Sequence, residues 1–324
     1  MARMAVMVVL SFAALLLVCG TAAIGLLSGI LLPRIATLEP DVRVRLLFRL
    51  RMFPMAAATI GALGVVLPTF LWFEPSGSQE RIPLTLIVTA ACGVLLLSSA
   101  AWRAVRALSA TRVLARHWLS LARTIDGVET PVAAYAIDDV YPTVAVVGIR
   151  RPMLFLSSRV LDECSADETR AMILHEQAHI ETHDNARRLA LRACPELFTS
   201  VTNLDRAWEA AAEEAADRRV ARRAPHLAMS LAQALVRVGR LVPDGSVSSV
   251  LSVAPLVASA SALYSGGSLE NRVRRLVTPA PARQPSTSYD RVVMTLATLG
   301  AATIFLLSAP ALHQAIEAIV ATLP

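Results

Sequence analysis

Three long stretches without charge dominate the first third of the chain: Met4 to Pro33, Phe53 to Phe73 and Pro83 to Trp102. Each matches the roughly 20 apolar residues that a membrane-spanning helix needs. The first is far longer than the core of a signal peptide, so it is expected to stay as a span. A fourth candidate, Val292 to Leu306, can extend to about Leu312. Between the third and fourth runs the pattern changes. Two β-rich segments, Thr143 to Val147 and Met153 to Ser157, flank Gly148-Ile-Arg-Arg-Pro152 and predict a hairpin. Ser165-Ala-Asp-Glu168 is a capping box, and it opens a helix whose apolar positions include Ala171, Met172, Ile173, Leu174, Ala178 and Ile180. Asp184-Asn185 is expected to end or bend it. A second acidic helix runs through Trp208 to Ala221, and Leu227 to Leu241 has helical apolar spacing. Val250 to Tyr264, interrupted by Pro255, predicts a packed or membrane-dipping helix; if it spanned, the C-terminus would move inside. Thr278 to Ser288 is a proline-rich tether.

Composition agrees with this pattern. The 324 residues are 55% hydrophobic and only 17% charged, with mean hydropathy +0.55, which excludes a single soluble domain. The arginines set the expected orientation. Arg34, Arg43, Arg45, Arg49 and Arg51 outweigh Glu39 and Asp41 between the first two spans, and Arg103, Arg106, Arg112, Arg116 and Arg123 follow the third. Both segments are therefore expected on the cytoplasmic side.

The expected fold is an α-helical polytopic membrane protein of about four spans with a mostly α, α+β cytoplasmic domain containing a small β-hairpin or sheet. Residues 1–102 hold three spans and a basic cytoplasmic loop at 34–51, and residues 103–290 the inner domain. Residues 291–312 form the fourth span and 313–324 a short external tail, so that both termini lie outside. Arginines beside the bilayer account for much of the net charge of +6, so no direct nucleic-acid partner is implied. All 31 basic residues are arginine, which suggests a bacterium with a GC-rich genome. The four cysteines form no C-x-x-C pair, and neither a disulfide framework nor a cysteine metal site is indicated.

The candidate chemistry lies on the first inner helix, in His175-Glu176-Gln177-Ala178-His179. Histidines four apart stand one turn apart on one helical face, so both imidazoles can reach one zinc ion, with Glu176 directed at the water to be activated. A zinc that activates water takes three protein ligands and leaves a fourth position open. His183 would lie a further turn along the axis, roughly 6 Å on, and no glycine turn bends the chain back; it is expected at the surface or behind a ligand. Glu213 and Asp217 on the acidic helix share one face, so one can bind metal while the other orients a ligating histidine. Glu209 shares that face one turn earlier, whereas Glu214 is rotated away by about 100°.

His-Glu-Gln-Ala-His with Asp184-Asn185, followed by Glu213-x-x-x-Asp217, resembles the integral-membrane gluzincins, in particular the BlaR/MecR-type antirepressor peptidases. Val144 to Ser157 and Leu269-Glu-Asn-Arg-Val-Arg-Arg-Leu276 agree with that family, and Arg272 enters as a catalytic candidate from the second stretch. The resemblance extends to membrane proteases of the HtpX kind, although Gly266-Gly267 stands where those carry a histidine-proline pair. It implies a zinc endopeptidase of the bacterial inner membrane that cleaves a cytoplasmic DNA-binding repressor. His175, His179 and Glu213 would hold the zinc, Asp217 would support them, and Glu176 would act as general base and then general acid. It also implies that the edge strand near the metal helix, Val144 to Val147, holds substrate backbone. Only about a dozen residues follow the last span, so no extracellular penicillin-binding sensor is expected. Two alternatives stay open: a membrane quality-control protease, and a zinc-binding signalling module whose proteolysis is dispensable.

Overall fold

The computed structural model describes residues 2–73, 82–125, 130–139, 141–195, 197, 199–242 and 266–278. The expected fourth span, the stretch 250–264 and the proline-rich tether beyond Thr278 lie outside them. Among the described residues the chain is mostly helical with one small sheet. Three helices are long and apolar enough to cross a membrane: Arg3–Ala36, Pro40–Trp72 and Leu84–Leu121. These correspond to α1 (Ala2–Ala36), to α2 (Pro40–Gly61) continued by a π turn at Ala62–Val66 into α3 (Leu67–Phe73), and to α4 (Leu84–Leu121).

Chain contacts divide these residues into two compact units. One holds the residues up to Leu17 together with Ala57–Leu95, and the other holds Val18–Ala56 together with Leu96 onward. Within the first unit, α1 and α4 touch closely. A Cβ on Gly93 would come within 2.5 Å of the Leu10 carbonyl oxygen, which requires glycine there. The Thr89 hydroxyl donates to Ser11 Oγ at 2.8 Å.

The second unit carries the sheet and the helices after it. Its four-stranded sheet has the order β1-β2-β4-β3, with β1 Ala122–Thr124, β2 Ala134–Ile137, β3 Val144–Val147 and β4 Met153–Ser157. β3 and β4 form the expected antiparallel hairpin, with Val146 opposite Leu154. Its turn depends on Gly148 at φ +108°, where a Cβ would meet the Arg151 carbonyl oxygen at 2.7 Å. β3 is an edge strand, yet it is covered on both faces. Ala145 and Val147 pack with Phe155 and Trp118, while Val146 packs with Leu154, Leu156 and Ile173.

After β4 come α5 (Ser158–Glu163), α6 (Ala166–Glu181), α7 (Asp184–Ala193), α8 (Thr199–Arg223), α9 (Ala228–Leu241) and a last described helix, α10 (Gly266–Val277). α6 opens on the expected capping box: Ser165 Oγ accepts from the Glu168 amide at 3.2 Å, and the Glu168 carboxylate accepts from the Ser165 amide at 2.7 Å.

α8 is the middle layer of this unit. Trp208, Ala211, Ala212 and Ala215 bury one of its faces against Ile24, Ile35, Val44 and Leu47 of α1 and α2. Val220 on another face packs with Ala171 and Met172 of α6 and with Leu231 and Leu235 of α9. The alanines allow the close approach.

One expectation changes in detail. The segment 34–51, read as a basic loop, is mostly helix: α2 begins at Pro40, where proline suits the first turn, with Asp41 beside the positive helix end. Its charges also bond within the protein. Glu39 pairs with Arg218, Asp41 with Arg219 and Arg43 with Glu214. Arg51 is buried, with Nε 3.0 Å from Asp205 Oδ1 and Nη2 donating at 3.3 Å to the carbonyls of Cys194 and Pro195. The third span and the arginine-rich segment after it are one continuous helix, α4, which gives way to β1 at Ala122.

Candidate metal centre

α6 and α8 bring the two sequence motifs together. Histidine spacing of four on α6 puts His175 and His179 one above the other, and α8 presents Glu213 to both. All three are buried, and their ligand atoms lie within 4.8 Å of one another. His175 Nε2 is 3.2 Å from His179 Nε2 and 3.2 Å from Glu213 Oε2, and His179 Nε2 is 3.5 Å from Glu213 Oε1. Four ligands at 2.0–2.1 Å around a tetrahedral zinc stand about 3.3–3.4 Å from one another. The two distances from His175 Nε2, to His179 Nε2 and to Glu213 Oε2, match that spacing, and this buried group could hold a metal ion.

The other nitrogen of each imidazole meets a carboxylate. His179 Nδ1 is 2.8 Å from Asp184 Oδ2. His175 Nδ1 is 3.0 Å from Asp217 Oδ1, an ion-pair distance at an angle short of a hydrogen bond. Carboxylates behind metal-binding histidines fix the ring and raise its basicity. Asp217 thus stands behind His175.

Asp184 follows the turn between α6 and α7 and holds His179. The turn itself is made by His183, whose left-handed φ of 56° separates α6 from α7 and leaves its side chain exposed, away from the site. Glu214 faces away towards Arg43 and Arg275, and Glu209 takes no part in the cluster.

Two buried arginines complete the constellation. Arg272 of α10 grips Asp217 with two hydrogen bonds, Nε to Oδ2 at 2.7 Å and Nη2 to Oδ1 at 2.8 Å, and its Nη1 lies 3.2 Å from Glu213 Oε2. Its Nε and Nη2 are engaged by Asp217, so these contacts hold one of the site's acids, while Nη1 makes no hydrogen bond among the described residues. It also helps to line a small cavity with Val144, Met172, His175, Glu176 and Leu235. Arg188 of α7 donates from Nη2 to Glu213 Oε1 at 3.2 Å. The sequence reading missed Arg188. Its only signal was its place four residues after Asp184, on the same face of a helix not yet tied to the motif.

The charges are consistent with a dication. The buried acids Glu176, Asp184, Glu213 and Asp217 face the buried cations Arg188 and Arg272, which leaves the cluster two negative charges in excess when all are ionised and both imidazoles are neutral. That excess acts on both histidines. Burial alone would lower His179, but Glu213 and Asp184 push it up to about 10, and Asp217 and Glu213 raise His175 against the same burial. Burial works against the charged form of Glu213 and Asp217 too; His179 and His175 hold Glu213 well below the carboxylate range, and Arg272 with His175 brings Asp217 to about 2. Glu176 differs. Burial dominates there and raises it, opposed by the two histidines.

Glu176 is fixed by the sheet. Its Oε2 accepts from the Val146 amide at 3.2 Å, which leaves Oε1 without that bond. The Val146 carbonyl in turn accepts from Asn185 Nδ2 at 3.1 Å, and the same Nδ2 reaches the Gly148 carbonyl at 3.0 Å. The neighbours Asp184 and Asn185 thus tie α7 to a metal-site histidine and to the edge strand.

No family model matches the chain, and a comparison with curated proteins found no match. The functional reading therefore rests on the residues and their geometry.

Proposed function

We propose that the protein is a membrane-embedded zinc endopeptidase of the BlaR/MecR type, with a gluzincin-like catalytic domain, that cleaves a cytoplasmic protein, a transcriptional repressor being the substrate its resemblance suggests. The observation that carries this reading is the buried cluster of His175, His179 and Glu213, whose ligand atoms lie within 4.8 Å of one another, backed by Asp217 and Asp184, with Glu176 beside it. A zinc ion bound there would supply Lewis-acid activation of water and of the scissile carbonyl. Glu176 supplies the proton transfer. Its Oε1 takes a proton from the attacking water and returns it to the leaving amine, while the Val146 amide holds Oε2 in place. A carboxyl whose burial raises its affinity for protons suits both halves of that task.

The edge strand supports an extended substrate. Backbone groups alternate in direction along a paired strand. Val146 points away from β4, towards Glu176 and Asn185, so Val144 points away from β4 as well. Val144 also lines the cavity beside Glu176, where a peptide could add to the edge by main-chain hydrogen bonds. The arginine distribution supports a catalytic domain on the cytoplasmic side of the bacterial inner membrane.

The test compares newly formed protein N-termini in cells expressing the wild type or Glu176→Gln. A cut in a small DNA-binding protein, present only with the wild type, is the expected result. Cuts spread over many membrane proteins would favour quality control. Full biological activity of Glu176→Gln would overturn both enzyme readings in favour of a non-catalytic zinc module.

A further inference from the structure

Glu213 is held differently on its two oxygens, and the difference assigns a task to Arg188. Oε1 accepts a hydrogen bond from Arg188 Nη2 at 3.2 Å and lies 3.5 Å from His179 Nε2, whereas Oε2 lies 3.2 Å from His175 Nε2 and has only an ion-pair contact with Arg272. We infer that Arg188 is a positioning residue that holds Oε1 back, so that Glu213 offers the metal Oε2 alone. The inference rests on the metal-centre reading above and extends it to the coordination number.

The physical case has three parts. A carboxylate can bind an ion through one oxygen or through both, and a second oxygen would fill the position that water must occupy at a catalytic zinc. A charge-assisted hydrogen bond to Oε1 favours the one-oxygen mode, because Oε1 would have to leave that bond to swing towards the ion.

Secondly, Arg188 is only 3% exposed and its guanidinium carbon sits 6.0 Å above the Trp208 ring, so the wall of the site fixes it. Its Nε and Nη1 have no hydrogen-bond partner among the described residues. A buried cation so sparsely bonded is costly unless negative charge compensates it, and the excess of buried carboxylates does so.

Thirdly, Asp184 and Arg188 are four apart on α7 and face the same way. One holds His179 and the other Glu213, so α7 supports two of the three ligands from behind.

The experiment uses the full-length protein in detergent, stripped of metal and loaded with Co²⁺, whose visible bands are intense in four-coordinate sites and weak at higher coordination. Wild type, Arg188→Met and Arg188→Lys are titrated, with thermal unfolding as the check on folding. Wild type should give the intense band. R188M should bind Co²⁺ about 10–100-fold more weakly, the usual effect of losing a partner behind a ligand, and show the weak band. R188K, which restores a donor to Oε1, should recover the intense band. Wild-type affinity and band in R188M would overturn the inference, and so would a folded R188K that behaves like R188M. If R188M does not fold, R188K alone decides: the intense band supports the assignment and a weak one contradicts it. A wild type that takes up no Co²⁺ would contradict the metal-centre reading itself, before any variant is made.

Discussion

His179 Nδ1 and Asp184 Oδ2 stand 2.8 Å apart across the break between α6 and α7, with both side chains buried. The residue that ends the metal helix's neighbourhood in sequence is thereby the one that orients its second histidine. Asp184→Asn should keep the fold, since the amide is nearly isosteric, but leave His179 less firmly held. We expect zinc affinity to fall about 10–100-fold. Competition with a chromophoric chelator measures it; unchanged affinity would mean that Asp184 only caps the turn.

Metal-free protein should lose stability with rising pH in a window set by His179. Its folded-state affinity for protons is raised, from 6.5 to about 10, so the stabilising contribution is complete below the lower value and is lost as pH climbs through the upper one. Thermal unfolding of chelator-treated protein across that window tests the sign. Zinc needs the neutral imidazole, so zinc affinity should move the opposite way and rise with pH, roughly tenfold per unit for each proton displaced.

Much of the centre was legible in the sequence because helical spacing is local. His175, Glu176 and His179 follow from one motif, and Glu213 with Asp217 from a four-residue interval on a second helix. The same holds for the β3–β4 hairpin, signalled by Gly148 and Pro152. What lay beyond reach depended on tertiary packing. β1 and β2 are three and four residues long, too short for alternation to stand out. Arg188 looked like one more basic residue until α7 was laid against α8. Arg43 and Arg51 sat in a run that reads as a topology signal, and only the docking of α2 on α8 turned them inward to Glu214 and Asp205.

Arg51→Met should therefore act on stability through α8. It removes a buried guanidinium from Asp205 and from the carbonyls of Cys194 and Pro195. Removing one partner of a fully buried ion pair costs about 3–5 kcal/mol. Asp205 is 24% exposed, which screens part of this, so about 2–3 kcal/mol is expected. Denaturant unfolding checks it. A variant as stable as wild type would show that α2 is not fastened here.

Glu176→Gln should bind zinc as wild type does and lose hydrolysis by about 10²–10⁴-fold, the usual worth of a positioned acid–base group. The Gln side chain can still accept from the Val146 amide, so the strand edge should keep its place. Once a cleaved protein is in hand, single-turnover rates on it measure the loss; a rate within a fewfold of wild type would remove Glu176 from the chemistry.

The most direct test of the centre is the zinc content of purified protein, wild type beside Glu213→Ala, Glu214→Ala and Glu209→Ala. One zinc per chain is expected in the wild type and in the Glu214 and Glu209 variants, with loss from Glu213→Ala. Full zinc in Glu213→Ala, or loss from Glu214→Ala or Glu209→Ala, would contradict the assignment of His175, His179 and Glu213 as one metal centre.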